Sequence, residues 1–257
     1  MKKLVTVFAA CAVAGLAFAA DSNIVGYVTK TTAAGKMDIV GTHFQNIGDA
    51  TINIQDVFPG VGIDLYGRDF LRIWNPLTAT YITASYWGDT YDVEDVNGDN
   101  DLGPGWADEG QIRLDFTIDP GQGFWLQTRA NASVTIAGEV LAADDNRAST
   151  AAGKMDILCN TFPVELNIQE ITPVSGIDLY GRDFLRAWNP TTATYITASY
   201  WGDTYDVEDV NGDNDLGPGW ADEGQIRLDF TINPGQGFWL QTRSAAVVSF
   251  PAPAGIL

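Results

Sequence analysis

Residues 62–129 recur 114 positions further on as residues 176–243, and the two stretches differ at only three of 68 positions: Ile73/Ala187, Leu77/Thr191 and Asp119/Asn233. Near-identical sequence obeys near-identical local rules, so the chain must fold as two like units or as one sheet structure fused across both. Upstream, AAGKMDI begins at Ala33 and again at Ala151, an offset of 118. The second copy therefore lacks four residues between Phe162 and Leu166 that the first carries within residues 45–51. IVGYV at 24–28 rhymes with IAGEV at 136–140, and AVVSF at 246–250 is a third instance. The reading is a leader over 1–19, a first module over 20–141, a polar Ala-rich joint over 142–150 and a second module over 151–257, each module of ordinary domain size.

Within a module the dominant period is two. Gln111 to Ile118 alternates Ile112, Leu114, Phe116 and Ile118 against Gln111, Arg113, Asp115 and Thr117, the pattern of a half-buried strand. Asp119-Pro120-Gly121-Gln122-Gly123 is a turn by composition, and Phe124-Trp125-Leu126 resumes an extended run. Asn75-Pro76 separates FLRIW from TATYITASYW and predicts a hairpin. Helix is scarce: Asn53 can cap a turn or two, with Asp56 three residues on, and Asn167 and Glu170 repeat the pair. The predicted fold class is all-β, two tandem sandwich-like or barrel-like modules with minimal helix.

Composition narrows the chemistry. There are 33 Asp and Glu against 14 Lys and Arg, a net charge of −19, so nucleic acid is excluded as a partner by repulsion. Lys2 and Lys3 precede an apolar stretch that ends in Ala17-Phe18-Ala19, which reads as a secretory signal peptide cleaved near Ala20 and predicts a secreted, cell-surface or periplasmic protein. No later apolar run is long enough for a transmembrane helix. Cys11 lies in the leader, so Cys159 is left as the single thiol of the exported chain, read as a small buried residue. The lone histidine, His43, is Thr161 in the second copy and reads as a surface or packing residue; with it, chemistry that needs a His pair or a Cys/His cluster falls away.

The strongest chemical signal is the loop over 88–110, GDTYDVEDVNGDNDLGPGWADEG, which holds eight acids and no Lys or Arg. Asp95, Asn97, Asp99 and Asp101 stand at alternate positions, with Asp209, Asn211, Asp213 and Asp215 in the second copy, the spacing with which a short loop wraps oxygen ligands around one cation. DVNGDN resembles the first half of dockerin-type and EF-hand-type calcium loops, and the resemblance implies calcium as cofactor. Asn100 stands where those loops carry Gly, and Trp106 stands at position 12, where they carry a bidentate carboxylate. The missing carboxylate then falls to Asp108, Glu109, Asp92 or Glu94, and in the second copy to Asp222 and Glu223. So many like charges in an ordered loop call for an organiser, and calcium is the simplest one.

The succession AGKMDIVGTHF, a capped turn, RIWNP, ATYITASYW, a polar loop, IDPGQGFWLQTR and SVTIAGEV resembles a β-module of secreted and cell-surface prokaryotic proteins that closes on a PGxGFW motif. Lys36-Met37-Asp38 replaces the Trp-Asn with which those modules usually open. The resemblance implies surface display or assembly. All eight Trp fall four to a copy; Trp74 and Trp125 read as core, whereas Trp106 and Trp220, set among acids, read as exposed ligand binders. No acid–base pair or nucleophile elbow is assembled, so the chain reads as no enzyme. The reading is a non-catalytic tandem-repeat protein with calcium-binding loops and a structural, adhesive or self-assembling role, its partners being itself, other surface components or glycans. The alternative is a carbohydrate-binding protein, and a glycoside hydrolase or outer-membrane barrel ranks below it.

Overall fold

The structure is a computed structural model, and it describes residues 25–75, 78–88, 93–95, 97, 101–141, 146–189, 192–202, 207–209 and 216–253. The expected leader, 1–19, lies outside the described residues. In the first copy the strands are β1 (Val25–Thr32), β2 (Met37–Gly41), β3 (Phe44–Gln45), β4 (Ile52–Asn53), β5 (Val57–Pro59), β6 (Tyr66–Asn75), β7 (Thr80–Trp87), β8 (Gly105–Ala107), β9 (Thr117–Ile118), β10 (Gly123–Gln127) and β11 (Ala132–Val140). The second copy carries β12 (Arg147–Thr150), β13 (Met155–Cys159), β14 (Leu166–Asn167), β15 (Thr172–Ser175), β16 (Tyr180–Asn189), β17 (Thr194–Trp201), β18 (Gly219–Ala221), β19 (Thr231–Ile232), β20 (Gly237–Gln241) and β21 (Ala246–Ser249). The helical elements among the described residues are two single 3₁₀ turns, Ile54–Asp56 and Ile168–Glu170, so the fold is all-β.

Each copy encloses one core between two larger antiparallel sheets, with a two-stranded ladder beside them, β4–β9 in the first copy and β14–β19 in the second. In the first, the order β2-β10-β6-β7-β8 faces a smaller sheet in which β11 has β1 on one side and β3 and β5 on the other. Leu71, Ile73, Phe124, Leu126 and Trp106 from the larger sheet meet Val28, Phe44, Val57, Val134 and Ile136 from the smaller, all buried. The second copy repeats the larger sheet as β13-β20-β16-β17-β18 and shortens the smaller to β12-β21-β15. The shortening follows from sequence: Pro251 and Pro253 stand where β11 continues through Ala137 and Glu139, and proline has no N–H for a ladder. The hairpin expected around Asn75 is β6–β7, and β16–β17 repeats it in the same register. Both capping boxes form, with Asn53 and Asn167 accepting from Gln55 and Gln169 N–H while Asp56 and Glu170 reach back to the cap N–H.

The two copies are docked face to face. Strands β10 and β20 are buried on both faces, which is why Phe-Trp-Leu runs without alternation. Phe124 and Leu126 point into their own core, while Trp125 joins Ile39, Ile157 and Trp239 in a separate cluster flanked by Met37, Trp74, Met155 and Trp188. The contacts are reciprocal: Trp74 meets Trp239 edge-on at 5.7 Å and Trp188 meets Trp125 at 5.6 Å. A Cβ on Gly123 would sit 2.6 Å from Ile157 Cγ2, and one on Gly237 2.5 Å from Ile39 Cγ2. This is the isologous pattern of a two-fold dimer, here made within one chain. Bridges from Val40 to Gln236 and from Gln122 to Leu158 extend the pairing through the backbone. Trp74 and Trp125 are thus packed as expected, but in the seam between copies.

Two expectations need correction. The strand expected over 111–118 is a strand only at Thr117–Ile118, with isolated bridges at Ile112 and Arg113; Gln111 has a positive φ of 63°, which turns the chain out of the extended form. Of the joint expected over 142–150, residues 142–145 lie outside the described residues, and Arg147–Thr150 is β12, paired with β21 inside the second copy.

Candidate functional site

The acidic loop is anchored at its base. Val93 is fully buried, its carbonyl accepts from Leu102 N–H at 2.8 Å, and Glu94 forms an antiparallel bridge with Asp101. On the inner side Glu94 N–H donates to Gln111 O at 2.9 Å and its carbonyl accepts from Arg113 N–H at 2.8 Å. Glu94 is therefore committed through its backbone, and its bridge to Asp101 pinches the base of the loop into a neck. The second copy repeats the neck, with Leu216 N–H on Val207 O and Glu208 N–H on Gln225 O.

Within the neck and tip, Asp95 Oδ1 accepts from Asn97 N–H at 3.0 Å and Asp101 Oδ1 from Gly103 N–H at 2.8 Å. Asn97, Asp101, Glu109 and Glu223 are exposed, and Asp95 and Asp209 are half-buried. Asp99, Asn211, Asp213 and Asp215 lie outside the described residues, as does Asp92. Asp108 and Asp222 are otherwise engaged: one oxygen of Asp108 accepts from Gly110 and Ile112 N–H at 2.8 and 2.9 Å, and Asp222 repeats this with Gly224 and Ile226. Among the described residues no group of three or more His, Cys, Asp or Glu side chains is gathered in a metal-binding arrangement.

Trp106 and Trp220 correct the expectation of an exposed platform. They sit in β8 and β18, are about as buried as any described residue, and stack edge-on with Tyr86 and Tyr200. Each indole N–H is satisfied inside, Trp106 by Val57 O at 2.8 Å and Trp220 by Ile171 O at 2.9 Å. Aromatic area and a satisfied donor make them core anchors, with no ring face free for a ligand. The acidic surroundings in sequence disguise a three-residue strand.

Sequence reasoning also missed Gln55 and Gln169, beside the capping residues it did identify. Gln55 Nε2 donates to Trp106 O and to Leu114 O, both at 2.7 Å, while its Oε1 accepts from Trp106 N–H at 3.0 Å. The side chain acts as a further rung between β8 and the 111–118 segment, beside the backbone bond from Leu114 N–H to Trp106 O at 3.1 Å. Gln169 makes the same three bonds in the second copy.

Two further buried polar side chains, His43 and Cys159, lie in the seam, and two buried carboxylates, Asp38 and Asp156, lie beside it within their own copies. His43 is 1% exposed; its Nε2 accepts from Gly235 N–H at 2.7 Å, so Nδ1 carries the proton and donates to Asn160 O. Burial lowers its pKa to about 4, against a smaller raising effect from the Asn160 carbonyl. Cys159 is free and buried, its thiol lies 3.3 Å from Thr42 O and 3.4 Å from Gln122 O, and burial pushes its pKa up. It stands opposite its own equivalent, Gly41, where a Cβ would overlap Cys159 Cβ and lie 2.9 Å from Sγ. Asp38 is buried with Lys30 Nζ at 3.1 Å, and burial still raises its carboxyl above the usual range; Asp156, whose copy has Ala148 in place of that lysine, is raised by burial and accepts from Ala151 N–H.

No protein-family model, no curated protein and no solved structure matches the chain. No helix among the described residues is long and apolar enough to cross a membrane, a statement that does not extend to strands.

Proposed function

We propose that this is an exported, non-catalytic β-protein, secreted or displayed at a cell surface, whose two acidic tips bind calcium and whose role is structural or adhesive. The observation that carries the cation reading is the pinched neck. The Glu94–Asp101 bridge brings the two ends of a tip together, and that tip holds Asp95, Asn97, Asp99 and Asp101 at alternate positions with no basic side chain among them. Glu109 and Glu223 are exposed carboxylates a few positions further along the same loops. Non-catalytic use is supported by the fate of the reactive groups: His43 and Cys159 spend their polar atoms on backbone groups across the seam. The carbohydrate alternative loses its platform with the burial of Trp106 and Trp220.

The test is thermal unfolding in millimolar calcium and in chelator. A ligand that binds only the folded state at a hundred times its Kd stabilises it by about 2.7 kcal/mol per site, roughly 5–10 °C for a chain of this size. The double variant Asp99→Ala/Asp213→Ala is expected to abolish the shift. Equal melting temperatures in calcium and chelator, with no heat on titration, would leave the acids as solvated surface.

A further inference from the structure

The outer face of the smaller sheet in the first copy carries an open groove of about 850 Å³, bordered by Val25 and Tyr27 of β1, Phe58 of β5 and Ile47 in the turn after β3. These four side chains are half to three-quarters exposed. The duplication supplies an internal comparison for Phe58 in the structure and for Tyr27 and Ile47 in the sequence. Phe58, opposite Thr135 in the ladder, is matched by Thr172, opposite Ser249. Tyr27 is matched in sequence by Asp145, and Ile47 lies in the stretch that the second copy lacks. At Phe58, where both copies share the ladder, the fold therefore does not require an apolar residue, yet the first copy gathers four such side chains on one surface. Beside the groove, β1 closes its sheet, and among the described residues no strand pairs with its outer edge. An edge of this kind takes up an extended segment through backbone hydrogen bonds while alternate side chains enter the groove. Asp49 and Asp56 line the same groove, and among the described residues no Lys or Arg does. A second copy of this chain, with a net charge of −19 and the same acidic rim, is repelled there.

We infer that the groove is a docking site for an extended segment of another protein that presents apolar side chains flanked by lysine or arginine. The site is built from first-copy residues, none of which belongs to an acidic loop. The experiment is selection from a displayed library of random heptapeptides on the full chain, with a counter-selection on Tyr27→Asp/Phe58→Thr, which installs the second copy's residues at two exposed positions. Enriched peptides should alternate apolar residues, carry Lys or Arg, and bind the variant roughly tenfold or more weakly, the loss expected on removing aromatic anchors. Binding should weaken with added salt and be unmoved by chelator, which separates it from the calcium reading. Three outcomes would overturn it: no enrichment over the variant, enrichment without basic residues, or concentration-dependent self-association that the variant abolishes, which would make a second copy the occupant.

Discussion

At the residue scale the seam turns on a pair and a ring. Gly41 and Cys159 occupy equivalent positions on opposite sides of the pseudo-two-fold, and only one of them has a side chain because there is room for only one. Gly41→Cys should therefore lower stability by about 1–3 kcal/mol through overpacking, and Cys159→Gly by about 1–2 kcal/mol through the space it leaves. The exchanged double variant should recover most of the loss, because the thiol then meets Asn160 and Gln236 in place of Thr42 and Gln122. Urea unfolding of the four proteins measures this, and additive losses in the double variant would contradict it. His43 makes a pH prediction. Its folded pKa near 4 lies below the unfolded 6.5, so the unfolded chain binds the extra proton between those values. The contribution of the neutral ring is complete above pH 6.5 and is lost as pH falls toward 4, about 3 kcal/mol in all. Asp38 and Asp156, with raised carboxyls, act in the opposite sense, since their contribution is lost as pH rises. The comparison must therefore be with His43→Thr, which should flatten the stability difference between pH 7 and pH 4; parallel pH profiles would contradict the assignment.

At the element scale the 3₁₀ turn does more than reverse the chain, because Gln55 completes the sheet that the 111–118 segment leaves unfinished. Gln55→Glu keeps the shape but places an acceptor against the Trp106 and Leu114 carbonyls, so it should cost about 3 kcal/mol, roughly 6–12 °C in Tm, as much as Gln55→Ala. A glutamate variant that melts with the parent would remove the rung. The same element shows where sequence is readable. Hairpin β6–β7, the capping boxes and the Asp119–Gly123 turn were legible because each is set by residues within a few positions of one another. The rung was not, since it joins Gln55 to carbonyls 51 and 59 positions away. Alternation over 111–118 misled because period two reports which side is buried, and not whether a neighbouring strand supplies the ladder. Trp106 was misread for a related reason: a three-residue strand is too short to show a period. The seam did leave a signal, the unbroken Phe-Trp-Leu run, which marks a strand covered on both faces.

At the scale of the whole molecule the chain is a duplicated β-module whose halves recognise each other as a homodimer would, through Trp74, Trp125, Ile39 and their counterparts Trp188, Trp239 and Ile157. Joining them in one chain fixes the bases of both acidic loops to a single body. It also leaves each copy free to diverge where the partner does not constrain it, as the groove on the first copy and the prolines ending the second show. If the seam is integral to folding, the copies do not part while either remains folded. Cys159 reports on this directly, because its thiol sits in the seam against Gly41 and reacts only when the halves separate or unfold. The measurement is the rate at which a thiol reagent modifies Cys159 in the folded chain across a urea series, with the modified peptide identified to set aside Cys11. The expected result is protection with a free energy and urea dependence equal to those of global unfolding. Rapid modification in the absence of urea, independent of denaturant, would show that the copies part while still folded and would contradict the docked pair.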